Sequence, residues 1–116
     1  MWALKKGSGS RTLIISGHYD CVEIESYGSL KKHALDPDRL KELMLAEPGE
    51  DPQLNMDLQS ADWVFGRGTA DMKGGLAAGL YAFLNYAGGD INVLFTAVSD
   101  EENLSAGGAP GREPVR

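Results

Sequence analysis

Gly75-Leu76-Ala77-Ala78-Gly79-Leu80-Tyr81-Ala82-Phe83-Leu84-Asn85-Tyr86, then Gly88-Gly89-Asp90, then Ile91-Asn92-Val93-Leu94-Phe95-Thr96-Ala97-Val98: these residues decide the fold. The first run is apolar nearly all round, which predicts a buried helix lying against a sheet. The glycine pair and Asp90 predict a turn. The last run predicts a strand, with Val93 and Phe95 on one face and Leu94, Thr96 and Val98 on the other. Upstream, Thr12-Leu13-Ile14-Ile15-Ser16 is a second apolar, β-branched run without polar alternation, the pattern of a strand buried on both faces. Strand, helix, strand in that order predicts an α/β layered sheet with at least one parallel pairing.

Outward from this unit the signals are more local. Trp2 to Lys6 reads as an edge strand. Gly7-Ser8-Gly9-Ser10 reads as a turn, so the first sixteen residues are expected to form a hairpin. Residues from about 19 to 35 read as irregular. Asp36-Pro37 predicts a helix start, Asp36 as the cap and Pro37 at the first helical position. Leu40, Leu43 and Met44 give that helix a narrow apolar stripe, as on a surface helix. Glu47-Pro48-Gly49-Glu50-Asp51-Pro52 is expected to end it and open a polar loop. Residues 105–116 hold no aromatic side chain and one large aliphatic, Val115, the composition of a disordered tail.

A chain of 116 residues is one small domain. Its 42% hydrophobic and 24% charged residues are those of a globular protein. The formal net charge of -6, with no Lys/Arg run longer than a pair, argues against a nucleic-acid partner. Bound cations would neutralise part of that acidity. A single cysteine, Cys21, allows no intramolecular disulfide and fits a reducing compartment. The sequence has no apolar run near the ~20 residues that span a bilayer, so no membrane association is expected. No signal-peptide pattern stands at the N-terminus, and the expected location is cytoplasmic.

The chemistry is concentrated in three motifs. They are Gly17-His18-Tyr19-Asp20, Gly66-Arg67-Gly68-Thr69-Ala70-Asp71-Met72-Lys73-Gly74, and Asp100-Glu101-Glu102. His18 and Asp20 fall just past one predicted strand, and Asp100, Glu101 and Glu102 just past another. Ligands gather at the carboxyl ends of strands in open α/β sheets, so neighbouring strands would bring both clusters together. Asp71 stands just before the apolar helix, where backbone N–H groups and the dipole favour an anion. If Glu101 and Glu102 continue a strand, they point to opposite sides: one can reach a metal and the other a water.

The three motifs together resemble those of the di-zinc exopeptidase and deacylase family, which includes aminoacylase, carboxypeptidase G and succinyl-diaminopimelate desuccinylase. Ser26-Tyr27-Gly28, Asp36-Pro37 and Trp63-Val64-Phe65-Gly66-Arg67-Gly68 look most like its RocB-like branch of bacterial arginine-utilisation proteins. The resemblance runs from about Trp2 to Gly107. It implies a partial mixed sheet with flanking helices, part of a three-layer α/β/α catalytic domain over residues 1–107, with 108–116 as the tail. By the same resemblance His18 is a ligand of one zinc, Asp71 bridges two zincs, and Glu102 is a terminal ligand of the second. Asp20 accepts the other ring N–H of His18, and Glu101 is the general base. Arg67 and Lys73 are structural. A cis peptide is implied between Asp71 and Met72. The implied cofactor is Zn2+, two per full-length enzyme, with Co2+ or Mn2+ as substitutes. The implied substrate is a small acylated amino acid or a peptide, and the resemblance leaves room for a homo-dimer of the full-length parent.

The ligand count falls short. Two metals sharing one bridge need about five protein ligands, and the motifs supply His18, Asp71 and Glu102. The family's other acidic ligand and its last histidine lie further downstream. His33 sits in a polar Lys31-Lys32-His33 segment and reads as solvated. The expectation is therefore an N-terminal piece of such a hydrolase, inactive or weakly active alone. Two other classes stay open: a non-catalytic remnant holding at most one metal ion, and a phosphate or nucleotide binder built on Gly66-Arg67-Gly68. Asp71 disfavours the last, since its charge would repel phosphate.

Overall fold

The computed structural model describes residues 1–102; the expected tail lies outside them. The chain divides into two compact units, Met1–Val22 with the segment from Ala70 onward, and Glu23–Thr69.

Among the described residues the first unit is a three-stranded sheet with one helix on it. Strand β1 is Trp2–Lys5, β2 is Arg11–His18 and β3 is Ile91–Val98, in the order β1-β3-β2. β2 pairs parallel to β3 and β1 pairs antiparallel to it, so the sheet is mixed. The expected parallel pairing is present. The expected hairpin is not, because β3 lies between β1 and β2. The apolar β3 takes the central position, where both of its edges are paired, and residues 6–10 cross its end. Two strand spacings, ~10 Å, separate the outer strands, a span that a tight turn cannot make. The crossing is pinned to β3 itself. Ser8 donates its N–H to the Gly89 carbonyl at 2.9 Å, and the Asn92 side chain accepts from Gly7 N–H and donates to the Arg11 carbonyl. A Cβ at Gly7 would lie 2.1 Å from the Ile91 carbonyl oxygen, so this close approach requires glycine.

The helix on this sheet, Gly75–Asn85, is the third α-helix of the chain, α3. It packs on the face of β3 that carries Val93, Phe95 and Ala97, and these three join Phe83 in the buried cluster. The Phe83 and Phe95 rings lie 5.8 Å apart at 39°. Gly79 brings the helix close, since a Cβ there would meet Ile15 Cγ2 at 2.8 Å. Lys5 closes the helix end, its ammonium donating to the Leu84 and Tyr86 carbonyls at 2.7 and 3.0 Å. Burial all round α3 and on both faces of β2 is not observed. Phe83 is the one buried residue of α3, and Tyr81 and Leu84 are exposed. In β2, Leu13 and Ile14 are 50% and 61% exposed. β2 is an edge strand, and a single helix layer covers one side of a sheet only.

The second unit is helical. A 3₁₀ stretch, Glu25–His33, occupies part of the region expected to be irregular and is broken at Gly28, whose φ is 54°. Helix α1, Pro37–Ala46, starts as expected, with the Asp36 carboxylate accepting from Arg39 N–H and Leu40 buried. Helix α2, Pro52–Gln59, stands where a polar loop was expected. Asp51 caps it through Gln53 and Leu54 N–H, and Leu58 is buried. Asp51-Pro52 repeats the Asp36-Pro37 signature, so the signal was present in the sequence. Within this unit Arg67 lies over the Tyr27 ring at 5.0 Å and donates to the Ser26 hydroxyl, while its N–H reaches the Ala34 carbonyl at 2.7 Å.

Candidate metal centre

The site is built at the shared carboxyl ends of β2 and β3. Their parallel register pairs Gly17 with Ala97 and His18 with Val98, and Tyr19 N–H reaches the Val98 carbonyl at 2.9 Å. His18 is thus the last residue of β2 rather than one past its end. β3 stops at Val98, and Asp100, with φ 77°, turns the chain back. Glu101 and Glu102 therefore lie in a turn and do not continue the strand.

Asp71 arrives from a different element. It stands in a turn, Thr69–Gly74, whose backbone leaves helical geometry at Asp71 and Met72, with α3 following directly. The Asp71–Met72 peptide is cis, as the family resemblance implies. Met72 packs into a notch in β2: a Cβ at Gly17 would lie 2.9 Å from both Met72 Cε and Leu76 Cδ1. Gly17 and Met72 both belong to the quoted motifs, yet no role attached to either, because a contact between residues so distant in sequence has no local signature.

The predicted ligands converge. His18, Asp71 and Glu102 each offer a ligand atom, and these atoms lie within 4.8 Å of one another. His18 Nε2 is 3.1 Å from Asp71 Oδ1. Two ligands at tetrahedral zinc, with bonds of ~2.0 Å, stand about 3.3 Å apart, so that edge already has the spacing of a coordination polyhedron. Imidazole and carboxylates are the donor types that zinc accepts. Glu101 joins the same cluster, with Oε2 3.7 Å from His18 Nε2. His18 is buried, whereas the Asp71 and Glu101 carboxylates are open to solvent.

On its other side the His18 ring is steered by Asp20. Nδ1 lies 3.3 Å from the Asp20 carbonyl oxygen and 3.4 Å from its carboxylate Oδ1. The resemblance places the carboxylate as acceptor; here the backbone carbonyl shares that position. Burial pulls the His18 pKa down, but Asp71, the Asp20 carbonyl and the Glu101 and Asp20 carboxylates outweigh it and raise it above the ordinary imidazole value. Burial likewise pushes the Asp20 carboxyl up. The N–H groups of Glu102, Asp20 itself and Asp100, with the His18 ring, overcome that and hold it below the usual carboxylate value.

Comparison with known proteins places the chain in a family. The sequence pattern of peptidase family M20/M25/M40 matches residues 14–113. The uncharacterized protein YqjN of Bacillus subtilis (strain 168) is 37% identical over 107 residues, covering 90% of this chain and 20% of that protein. Protein RocB of the same organism is 36% identical over 113 residues, covering 92% of this chain and 20% of RocB. The chain thus spans about a fifth of the length of these two relatives. No solved structure matches it. A match of the family pattern to residues 14–113, most of the chain, makes this chain a member of peptidase family M20/M25/M40.

Proposed function

We propose that this chain carries part of the metal centre of an amide-bond hydrolase, a peptidase or an N-deacylase of acylated amino acids. The family is one of metal-dependent hydrolases, which supports the reaction class. The observation that carries the reading is the convergence of His18, Asp71 and Glu102 from three separate segments. In this reading the three residues would hold the metal, and Asp71, placed between the other two segments in the motif set, would be the carboxylate shared in a two-metal centre. A divalent metal held there, zinc in the first instance, would supply Lewis acidity and would lower the pKa of a bound water toward ~7. Glu101, solvent-facing and beside the same histidine, takes the proton from the attacking water and passes it to the leaving amine. Asp20 keeps the His18 ring turned so that Nε2 faces Asp71.

A second reading has a specific observation behind it. Among the described residues a single group of three ligands converges, enough for one metal ion and short of a two-metal centre. In that reading the 116-residue chain binds one ion and turns nothing over; full activity, substrate choice and dimerisation belong to the rest of a longer protein. Calorimetric titration with Zn2+, run beside hydrolysis of N-acyl amino acids, tests both. One equivalent of zinc bound by the wild type and lost in Asp71→Ala supports the site. Turnover in addition supports an enzyme. No zinc binding by the wild type sinks both readings for this chain.

A further inference from the structure

Asp20 makes a contact that orienting a histidine does not require. Its Oδ2 accepts the backbone N–H of Glu102 at 3.1 Å, across 82 positions of sequence. That bond extends beyond the last ladder contact of the sheet, Tyr19 N–H to the Val98 carbonyl. It reaches the turn in which Glu102 sits, after the left-handed Asp100. The second oxygen, Oδ1, is buried, meets no partner with full hydrogen-bond geometry among the described residues, and lies 3.4 Å from His18 Nδ1. A buried acceptor of this kind calls for a donor. His18 can supply one when Nδ1 carries the proton, and that tautomer leaves the Nε2 lone pair facing Asp71.

We infer that Asp20, beyond orienting the His18 ring as the family resemblance implies, is a positioning residue for Glu102: its Oδ2 latches the Glu102 backbone to the end of β2. The latch fixes the distance between the two segments that carry His18 and Glu102, so both ligands are presented as a set. The inference rests on the reading of those residues as metal ligands, but the latch can be read without metal.

The test uses the 116-residue chain and its Asp20→Ala and Asp20→Asn variants. Amide hydrogen exchange at Glu102 is followed by NMR in metal-free buffer, with the β3 amides as the control for folding. Loss of a hydrogen bond to a charged acceptor should speed Glu102 exchange by roughly tenfold or more in Asp20→Ala. Asn keeps an acceptor, so Asp20→Asn should stay within about threefold of wild type. Zinc affinity should fall in Asp20→Ala by about 10–100-fold and fall less in Asp20→Asn, which keeps the latch but loses the carboxylate at His18 Nδ1. Unchanged Glu102 exchange in Asp20→Ala overturns the latch, whatever the zinc affinity. Faster exchange with unchanged zinc affinity leaves the latch standing and removes Glu102 from the ligand set. If Asp20→Ala fails to fold, the wild type still decides. A scalar coupling across the bond, from Glu102 nitrogen to the Asp20 carboxyl carbon, supports the latch, and its absence overturns it.

Discussion

The two faces of the sheet are made by alternate residues of the same three strands, and they differ sharply. On one face Val93 and Phe95 are 2% exposed beneath α3. On the other, Trp2 and Ile14 are 71% and 61% exposed. Along β3 the first face is apolar throughout, with Ile91, Val93, Phe95 and Ala97, whereas the second mixes Trp2, Leu4, Ile14 and Leu94 with Thr12, Ser16, Asn92 and Thr96. The more apolar face is the one that α3 covers. α3 reaches the first face because Gly79 lets it approach Ile15 and Phe95, and because Lys5 ties down its last carbonyls. The candidate metal centre stands at the carboxyl ends of β2 and β3, where Met72, next to Asp71, reaches the Gly17 notch.

The largest expected effect comes from cutting into the covered face. Phe95→Ala should cost ~3–5 kcal/mol, because the ring is buried against Phe83 and leaves a cavity. Urea denaturation followed by tryptophan fluorescence or circular dichroism measures it. For a domain of this size such a loss approaches the whole stability, so partial unfolding of the variant in water is the expected result. A loss below ~1 kcal/mol would mean that the α3 face is not the core, and the comparison would fail.

The next effect is smaller and reaches the site. Gly17→Ala places a methyl group 2.9 Å from Met72 Cε and Leu76 Cδ1. Overpacking of this kind costs ~1–3 kcal/mol. Both neighbours are ends of flexible side chains, which puts the expected cost at the low end of that range. Met72 must shift, and Asp71 precedes it in the same turn. Zinc affinity should therefore fall along with stability, while Gly79→Ala, which presses on Ile15 away from the site, should lower stability and spare zinc. Equal zinc affinities in the two variants would show that the notch does not position Asp71.

Much of this arrangement was legible in the sequence, for reasons that can be named. β3, α3 and the α1 start were readable because strand alternation, apolar periodicity and the Asp36-Pro37 cap are local signals. The convergence of His18, Asp71 and Glu102 was readable in part because they stand in three contiguous motifs, and parallel neighbouring strands bring their carboxyl ends together without further information. The failures concern partners distant in sequence or absent layers. Gly7-Ser8-Gly9-Ser10 looks like a hairpin turn, and nothing near it says that a strand eighty residues later will insert. The uncovered face of β2 reads as core because apolar residues there imply a cover, whether or not one is present. The bond from Asp20 to Glu102 and the Met72–Gly17 contact have no local trace at all. Helix α2 is different: Asp51-Pro52 gave the same signal as Asp36-Pro37, and the surrounding polar residues outweighed it in the reading.

A pH titration probes the carboxyl end of β2, where His18 and Asp20 stand. The folded pKa of His18 is raised, so its contribution to the metal-free chain is complete below the ordinary imidazole value of 6.5. It is lost as pH rises through the raised value. Denaturation midpoints should therefore decline across the neutral range, and His18→Gln should flatten that decline. The folded pKa of Asp20 is lowered, so its contribution is present above 3.8 and is lost as pH falls through the depressed value. Asp20→Asn should remove that acid-side loss. Zinc binding has the opposite dependence to the His18 term, because protons compete for the imidazole. Its affinity should weaken as pH falls, starting above the ordinary imidazole range.

The smallest expected effect lies on the open face, and it is the sharpest check on the comparison. Trp2→Ser and Ile14→Thr alter side chains that are already mostly in water. Each should change stability by no more than ~0.5–1 kcal/mol, well below Phe95→Ala. The same pair should reduce binding of a hydrophobic dye and lower self-association in sedimentation, because contiguous exposed apolar surface drives both. Ile14 lies on β2, whose outer edge is unpaired within the described sheet, so the threonine also makes that edge less prone to recruit another strand. If the double variant instead destabilises the chain as much as Phe95→Ala does, the open face is packed in solution. The two faces would then be two halves of one core, and the burial of β2 on both sides, as its sequence predicts, would be restored.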